Sequence, residues 1–219
     1  MSNDVALIVT RWGGWPTYVS LYLHTLAHNP TIDFLLLGDK APARSGSALL
    51  LPTNVKFVHF PLSALLKRLR EVTSDLVTDA VALRDSNSGQ FDGGLKANTG
   101  GNVAKTNDLK PLYGEAFSDL LSGYTFWGYI QEDMILGDLR HFLRPEILNV
   151  SDVITPNTGA PRKLRANGAF MVYRNTRAVN RLWRSSKSAV AMLSTNEYLI
   201  FDDWWGPGIE NMGRLLARV

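Results

Sequence analysis

Short apolar runs alternate with amphipathic segments along the first third of the chain. Val5–Thr10 is a largely apolar run, and Ile32–Leu37 is apolar except for Asp33; both predict strands buried on both faces of a sheet. Between them, Thr17–Ala27 carries its apolar residues at helical spacing and predicts a helix. A strand, a glycine turn, a helix and a second strand in this length indicate a right-handed βαβ unit with parallel strands.

The alternation continues towards the carboxyl end. Val55–Phe60 predicts a third strand, and Pro61–Val72 predicts an amphipathic helix. Polar and small residues dominate Arg84–Thr106, which indicates a surface loop; composition does not separate a plain loop from a lid. Three more helices and one more strand are predicted at Asp108–Leu121, Ala178–Leu193, Ile209–Val219 and Asn167–Arg174. The pattern is that of an α/β protein with a Rossmann-type mixed, mainly parallel sheet flanked by helices.

The stretch Gly123–Leu143 changes character in its middle. Its first part is apolar and aromatic, as expected of a buried central strand, and Gln131, Glu132 and Asp133 follow directly. Carboxylates at the carboxyl end of a central strand lie where open α/β sheets bind ligands. Oxygen ligands there suit a hard divalent cation, which can carry a diphosphate. The alternative is an ordinary strand end whose acids face solvent.

Two further segments carry candidate binding chemistry. The turn after the first strand contains Gly13 and Gly14, which permit close backbone approach to a ligand, although it lacks the G-x-G-x-x-G fingerprint. Asp202 and Asp203 stand beside two tryptophans, a combination of the type found in sugar sites. In the alternative interpretation, the tryptophans belong to the core and the acids cap the next helix.

Asp39 and Lys110 also have two interpretations each. Asp39 ends the second predicted strand, where it would either hydrogen-bond a base or ribose or cap a turn. Lys110 begins a predicted helix, where it would either contact a phosphate or the metal shell or be solvated. The residue types alone do not decide between these roles.

The composition narrows the classes of function. The 219 residues, 45% hydrophobic and 20% charged, suit one globular domain. A net charge of +3 is too small to predict nucleic-acid binding, and the absence of cysteine excludes disulfides and thiolate chemistry. Neither a secretory signal nor an apolar run of transmembrane length is present, so we expect a cytoplasmic protein and leave peripheral membrane contact open. The chain stops inside the last predicted helix, which leaves a missing carboxyl-terminal piece open.

Taken together, these segments resemble an uncharacterised, mostly bacterial family of glycosyltransferase-like proteins with the nucleotide-diphospho-sugar transferase (GT-A) fold. The matching pieces occur in the same order and cover nearly the whole chain. They are Trp15-Pro16, Asn29-Pro30-Thr31, Asp39, Asn54–Phe57, Asp108–Pro111, Tyr113-Gly114, Gly123–Leu143, Phe170–Asn175 and Phe201-Asp202-Asp203.

The resemblance implies a single transferase domain, with a nucleotide-binding half at residues 1–140 and an acceptor half at residues 141–219. It implies Mn²⁺ or Mg²⁺ at an Asp-x-Asp motif, which here reads Gln131-Glu132-Asp133, so Asp133 and Glu132 are assigned to the metal. Gln131 stands where the first acid is expected; on an extended strand it shares a face with Asp133, and Glu132 points away. The donor nucleotide is assigned to Arg11, Trp12, Asp39, Lys110 and Gln131.

The expected function is metal-dependent transfer of a sugar from a nucleotide-diphospho-sugar to a glycan or other hydroxyl acceptor, in polysaccharide or glycoconjugate synthesis. Asp203 or Asp202 would bind acceptor hydroxyls or act as general base. Lys110 or a basic residue of Arg162–Arg165 would assist the leaving diphosphate. The alternatives are a catalytically silent carbohydrate- or nucleotide-binding protein that keeps the fold, and a metal-dependent nucleotidyltransferase.

Overall fold

The structure is a computed structural model that describes residues 3–44, 47–77, 105–156, 166–195, 197–203 and 208–218. Strands and helices alternate along these residues. The strands are β1 (Val5–Arg11), β2 (Asp33–Gly38), β3 (Ala43–Arg44), β4 (Ser47–Ala48), β5 (Val55–His59), β6 (Phe126–Ile130), β7 (Val153–Ile154) and β8 (Phe170–Arg174). The α-helices are α1 (Val19–Ala27), α2 (Leu62–Thr73), α3 (Lys105–Asp108), α4 (Tyr113–Ala116), α5 (Pro145–Leu148), α6 (Arg177–Asn180), α7 (Ala189–Leu193) and α8 (Met212–Leu216). Short 3₁₀ turns cover Lys110–Leu112, Leu139–His141 and Leu182–Ser185.

Six of these strands form one sheet with the order β5-β2-β1-β6-β8-β7. β5, β2, β1 and β6 run parallel, whereas β8 is antiparallel to both β6 and β7. The α/β class is therefore confirmed. The sheet is mixed, with parallel pairing confined to the four strands on one side. β3 and β4 form a separate antiparallel hairpin between β2 and β5.

Side chains of the central strands alternate between two hydrophobic cores, one on each face of the sheet. On β1, Ala6 and Ile8 belong to one core, and Leu7 and Val9 belong to the other. α2, α4, α7 and α8 contribute buried residues to the first core, and α1 contributes to the second. β6 is buried at every position, as its apolar run predicted. The result is a sheet covered on both faces, which leaves strand ends as the accessible backbone.

The segment Asp108–Leu121, predicted as one helix, is broken. α3 ends at Asp108, a 3₁₀ turn follows, and α4 ends at Ala116. Pro111 lies in that turn; it has no amide hydrogen and cannot continue an α-helical ladder. α3 begins at Lys105, so the last two residues of the predicted loop Arg84–Thr106 are helical, and the rest of that loop lies outside the described residues.

Two other predicted helices are also wrong in extent. The predicted helix Ala178–Leu193 is interrupted after α6. Two of its serines bond to Glu210 instead: Ser186 Oγ donates to the Glu210 carbonyl at 2.5 Å, and Ser188 Oγ accepts from the Glu210 amide at 2.8 Å. Such side-chain bonds compete with helical backbone pairing. The last helix begins only at Met212, because the Asn211 side chain caps it by accepting from the Arg214 amide.

A membrane span was not expected, and no helix in the described ranges is long and apolar enough to cross a membrane.

Candidate functional site

The carboxyl ends of β1 and β2 meet at one edge of the sheet and are joined by a glycine turn. Gly13 follows β1 with a φ of 97°, a left-handed conformation that favours glycine. Its amide donates to Asp39 Oδ1 at 2.7 Å, just after β2 ends. The predicted nucleotide residue Asp39 therefore holds the predicted glycine turn, and its carboxylate lies at the edge where open α/β sheets bind their ligands.

Arg11, the last residue of β1, links this turn to the end of β6. Its Nε and Nη2 donate to the Gly14 carbonyl at 3.0 and 2.7 Å, and its Nη1 forms an ion pair with Glu132. The two side chains are only 7% and 10% exposed. Arg11 thus holds the turn after β1 against the turn after β6, and both ends of the link are shielded from water.

The three residues after β6 differ sharply in their surroundings. Gln131 is half-buried and its amide donates to the Ala169 carbonyl at 3.0 Å, which places it beside the start of β8. Glu132 is buried in the pair with Arg11, whereas Asp133 is exposed. Residues 132 and 133 lie in a turn and not in an extended strand, and this turn places Glu132 against Arg11 and Asp133 towards solvent. Asp133 is thus the carboxylate of the motif that meets solvent.

Trp12 lies in the first hydrophobic core. Its indole Nε1 donates to the Phe60 carbonyl at 2.9 Å, and the residue is 5% exposed. A tryptophan that is buried and bonded in this way anchors the turn after β1 to the end of β5. Its assignment to the donor nucleotide stays a prediction.

Asp202 and Lys110 form a buried pair on the β8 side of the same edge. Lys110 Nζ donates to the Gly168 carbonyl at 2.5 Å and lies 3.3 Å from Asp202 Oδ2. The Tyr198 hydroxyl donates to Asp202 Oδ1 at 3.3 Å, and the Tyr129 hydroxyl donates to the Asp202 carbonyl at 3.3 Å. Burial, followed by the negative charge of Asp202, raises the pKa of Tyr198, so this hydroxyl stays protonated and can keep donating.

Gly168 brings both predicted catalytic acids to one point. A Cβ at this position would lie 2.7 Å from Asp202 Oδ2 and 3.2 Å from Asp203 Oδ2, so only glycine lets the backbone approach them. Asp202 is fully buried, whereas Asp203 is half-buried. Of the two acids, Asp203 is the one with a surface that an acceptor hydroxyl could meet.

Two tyrosines at the start of α1 border the motif after β6, and the sequence analysis missed them: Tyr18 is the N-cap residue of this helix, and Tyr22 lies within it. Burial first, and then the charges of Glu132 and Asp133, raise the pKa of both Tyr18 and Tyr22. Tyr18 is 43% exposed, and the Tyr22 hydroxyl is buried without a hydrogen-bond partner among the described residues. The four-residue spacing of these tyrosines on a helix is an ordinary core pattern, so it carries no signal for a site.

A divalent cation needs several oxygen ligands, and the motif after β6 supplies few of them. The described residues contain no group of three or more His, Cys, Asp or Glu side chains placed to hold a metal. With Glu132 paired to Arg11, Asp133 is the accessible carboxylate of the motif. One accessible carboxylate is too few for a calcium site in which the protein supplies all the ligands. One carboxylate is compatible with Mg²⁺ or Mn²⁺ whose other ligands come from a substrate, because Mg²⁺ is usually bound through one or two carboxylates plus phosphate oxygens.

The site can be traced as a continuous series of contacts. It runs from Asp39 through the glycine turn and Arg11 to the motif after β6, then across the start of β8 to Asp202 and Lys110. The structure therefore brings the predicted donor, metal and acceptor residues to one edge. The basic residues of Arg162–Arg165 and the pair Trp204-Trp205 lie outside the described residues.

The fold is that of an α/β protein with a mixed sheet, and several carboxylates lie at the carboxyl ends of its parallel strands. Residues 101–217, a little over half of the chain, match the model of a family of unknown function, DUF6625, and the chain belongs to that family. The matched region contains Lys110, the motif after β6 and both acids near Gly168, and it leaves out β1 and β2. No curated protein matches the chain.

Proposed function

We propose that this protein is a glycosyltransferase of the GT-A type, which transfers a sugar from a nucleotide-diphospho-sugar to a hydroxyl acceptor. The observation that carries the proposal is the convergence of Asp39, Gln131–Asp133 and Asp202-Asp203 on one edge of a mixed sheet. A GT-A-type fold is compatible with four parallel strands whose carboxyl ends meet this edge. Asp39 and the motif belong to the proposed donor half and Asp202 and Asp203 to the proposed acceptor half. Lys110 comes from the donor half but pairs with Asp202.

The donor nucleotide is assigned to the β1–β2 side of the edge. Asp39 Oδ1 holds the Gly13 amide, and its second oxygen, Oδ2, is the acceptor we assign to a ribose or base donor group. The Gln131 amide side chain, next along the edge, can hydrogen-bond a ribose hydroxyl without carrying a charge. The glycine turn allows the ligand to approach the backbone closely.

The donor diphosphate is assigned to the centre of the edge, at Asp133. A divalent cation bound with the donor would neutralise the charge that develops on the leaving diphosphate. Asp133 would hold that cation together with phosphate oxygens. Glu132 contributes differently, because its pair with Arg11 keeps the two turns that border the diphosphate in contact.

The acceptor reaction is assigned to Asp203. The acceptor oxygen forms a bond to the anomeric carbon, the bond from that carbon to the diphosphate oxygen breaks, and the electron pair leaves with the diphosphate. Asp203 takes the proton of the attacking hydroxyl as general base if the reaction inverts. Asp202 does not need to react; its bonds with Lys110 and Tyr198 hold the neighbouring backbone in place.

The test is donor turnover by wild type and by Asp203→Asn. Purified protein is incubated with a panel of nucleotide-diphospho-sugars and Mn²⁺, and released nucleoside diphosphate is measured. We expect turnover by wild type, and a loss of about 10²–10⁴-fold in Asp203→Asn with unchanged nucleoside diphosphate affinity, because a general base contributes that much. Asp119→Asn, an exposed acid paired with Arg68, serves as the control and should be active.

A catalytically silent nucleotide-binding protein is the second candidate, and one observation favours it. The first acid of the motif is Gln131, and Glu132 is committed to Arg11, so the motif presents less charge than an Asp-x-Asp pair. Nucleoside diphosphate binding by wild type without turnover of any donor in the panel would support this candidate and contradict the transferase.

A further inference from the structure

A buried ion pair contacts the backbone of residues 199–203, here called the acidic segment because it ends in Asp202 and Asp203, and it takes no part in the donor or acceptor chemistry above. Lys105 and Asp108 of α3 form it, with Nζ and Oδ2 2.9 Å apart and both side chains fully buried. Burial, acting against the attraction within the pair, lowers the pKa of Lys105 and raises that of Asp108. A charged pair in such a position is costly unless further hydrogen bonds satisfy both groups.

Asp108 uses both carboxylate oxygens on the backbone of the acidic segment. Oδ2 accepts from the Leu199 amide at 2.8 Å, and Oδ1 accepts from the Phe201 amide at 2.7 Å. These two amides lie on either side of Ile200, and the second belongs to the residue directly before Asp202. Hydrogen bonds from amides to a charged carboxylate are stronger than neutral ones, so this short segment is held at two adjacent points.

The backbone between these two points has an unusual conformation. Ile200 has a φ of 61°, in the left-handed region that a β-branched residue rarely adopts. The conformation turns the chain so that the Asp203 amide approaches the Ile200 carbonyl at 3.4 Å. Strained residues of this kind persist only when the surrounding structure over-determines them, and the bonds from Asp108 on either side provide that restraint.

Lys105 holds the chain on the approach to the same turn. Its ammonium donates to the carbonyls of Met192 and Glu197, both at 2.9 Å. Together, the pair therefore satisfies backbone donors and acceptors from the end of α7 to Phe201. Beyond the turn, Phe201 is fully buried and its carbonyl accepts from the Met212 amide at 2.9 Å, so Asp203 emerges from a segment restrained on both sides.

We propose that Asp108 is a positioning residue for the acid of the site: with Lys105 it holds the turn at Ile200 and thereby sets the place of Asp203. The pair acts on the backbone and does not touch donor or acceptor. The catalytic consequence rests on the proposed function, whereas the restraint on the turn does not, so the two are measured separately.

The experiment compares Asp108→Asn with wild type and with Asp33→Asn. Asp33 is a suitable control because it is also a buried carboxylate with several partners, Lys56, Tyr124 and Asn3, at the opposite end of the parallel strands. Hydrogen exchange at the amides of Leu199 and Phe201 reports the restraint, and steady-state turnover of the nucleotide-sugar donor reports its consequence.

In Asp108→Asn we expect exchange at both amides to rise by about tenfold or more beyond the change in global stability. We expect kcat to fall by about 10–100-fold with unchanged KM for the donor, the size of loss that a misplacement of about 1 Å produces. Asp33→Asn should lower stability without either change. If Asp108→Asn does not fold, Lys105→Met is used, which leaves the two amide bonds but removes the partner charge, and it should loosen the same amides.

Unchanged relative exchange at both amides would overturn the proposal, whatever the turnover. Increased exchange with unchanged kcat in an active protein would also overturn it, since the pair would then be purely structural. If wild type turns over no donor, the proposed transferase fails, and the exchange measurement alone still decides whether Asp108 holds the turn.

Discussion

Individual carboxylates at the site have different partners, and this separates their roles. Glu132 and Asp202 are buried beside an arginine and a lysine, whereas Asp133 is exposed and Asp203 is half-buried. Separating a buried carboxylate from its cationic partner costs several kcal/mol, because the remaining charge would be buried without compensation. The proposed function therefore gives ligand and proton chemistry to Asp133 and Asp203, which solvent reaches, and leaves the two buried acids to hold the backbone.

The role of Asp133 can be tested by removing its charge alone. Asp133→Asn should weaken Mn²⁺-dependent binding of a nucleoside diphosphate by about tenfold or more, since even outer-sphere partners of a metal are worth 10–100-fold. Isothermal titration with UDP or GDP, with Mn²⁺ and with EDTA, measures the effect. Stability should not change, because the side chain is exposed.

Asp138→Asn is the matched control for this experiment. Asp138 is also exposed and lies five positions further on, where it accepts from the Arg140 amide as a cap, and asparagine caps equally well. Its affinity for nucleotide should equal that of wild type. Equal Mn²⁺-dependent affinity in Asp133→Asn and wild type would remove Asp133 from the site.

At the scale of elements, the turn after β1 and the turn after β6 are held together by one buried ion pair. The two strands are neighbours in the sheet, but their backbone pairing reaches only Ile8 and Tyr129. Beyond that point, Arg11 and Glu132 make the contact between the two connections. Because both connections border the proposed diphosphate position, this pair maintains the spacing of the site.

Breaking the pair should therefore cost stability. Glu132→Ala removes the buried carboxylate that neutralises the Arg11 guanidinium, and we expect a loss of about 3–5 kcal/mol in the free energy of unfolding. Glu146→Ala removes an acid that is 77% exposed and 3.9 Å from Arg144, so its effect should stay within about 0.5 kcal/mol. Urea denaturation followed by circular dichroism provides both values.

The same variant tests whether Glu132 also binds the metal. If Glu132 pairs with Arg11 and does not bind the metal, the nucleotide affinity of folded Glu132→Ala should depend on Mn²⁺ as the affinity of wild type does. Wild-type stability combined with loss of the Mn²⁺ dependence would reverse our interpretation and make Glu132 a ligand.

At the scale of the whole molecule, the proposed donor and acceptor halves share one sheet and one core. β6, from the first half, pairs along its length with β8, from the second. The core on one face includes Ala6 and Ile8 of β1 together with Met212 and Leu215 of α8. Residues of both halves therefore share the same hydrophobic cores, and the proposed division into halves does not separate two folding units.

The chain should accordingly unfold in one cooperative transition. Native-state hydrogen exchange at increasing urea should show the amides of β2 and β8 losing protection at the same denaturant concentration, because the two strands lie in one sheet around shared cores. Peripheral β7, which has two residues, should open earlier by local fraying. Opening of all of β8 at clearly lower urea than β2 would show that the acceptor half is an independent unit.

Several elements followed from the sequence because their signals are local. The apolar runs correspond to β1, β2 and β6, because a strand that is buried on both faces needs apolar residues at consecutive positions. The change from Ile130 to Gln131 marked the end of a central strand for the same reason. The edge that carries the candidate site could thus be placed from composition and order alone.

The tertiary structure decided what these signals do not encode. The helix break near Ser186 depends on a contact with distant backbone, and the antiparallel direction of β8 has no local mark in its residues. The partners of charged groups were equally invisible: Arg11 and Glu132 are 121 positions apart. A strand end therefore predicts where polar groups gather, but only the folded chain determines which of them neutralise one another and which remain accessible to a ligand.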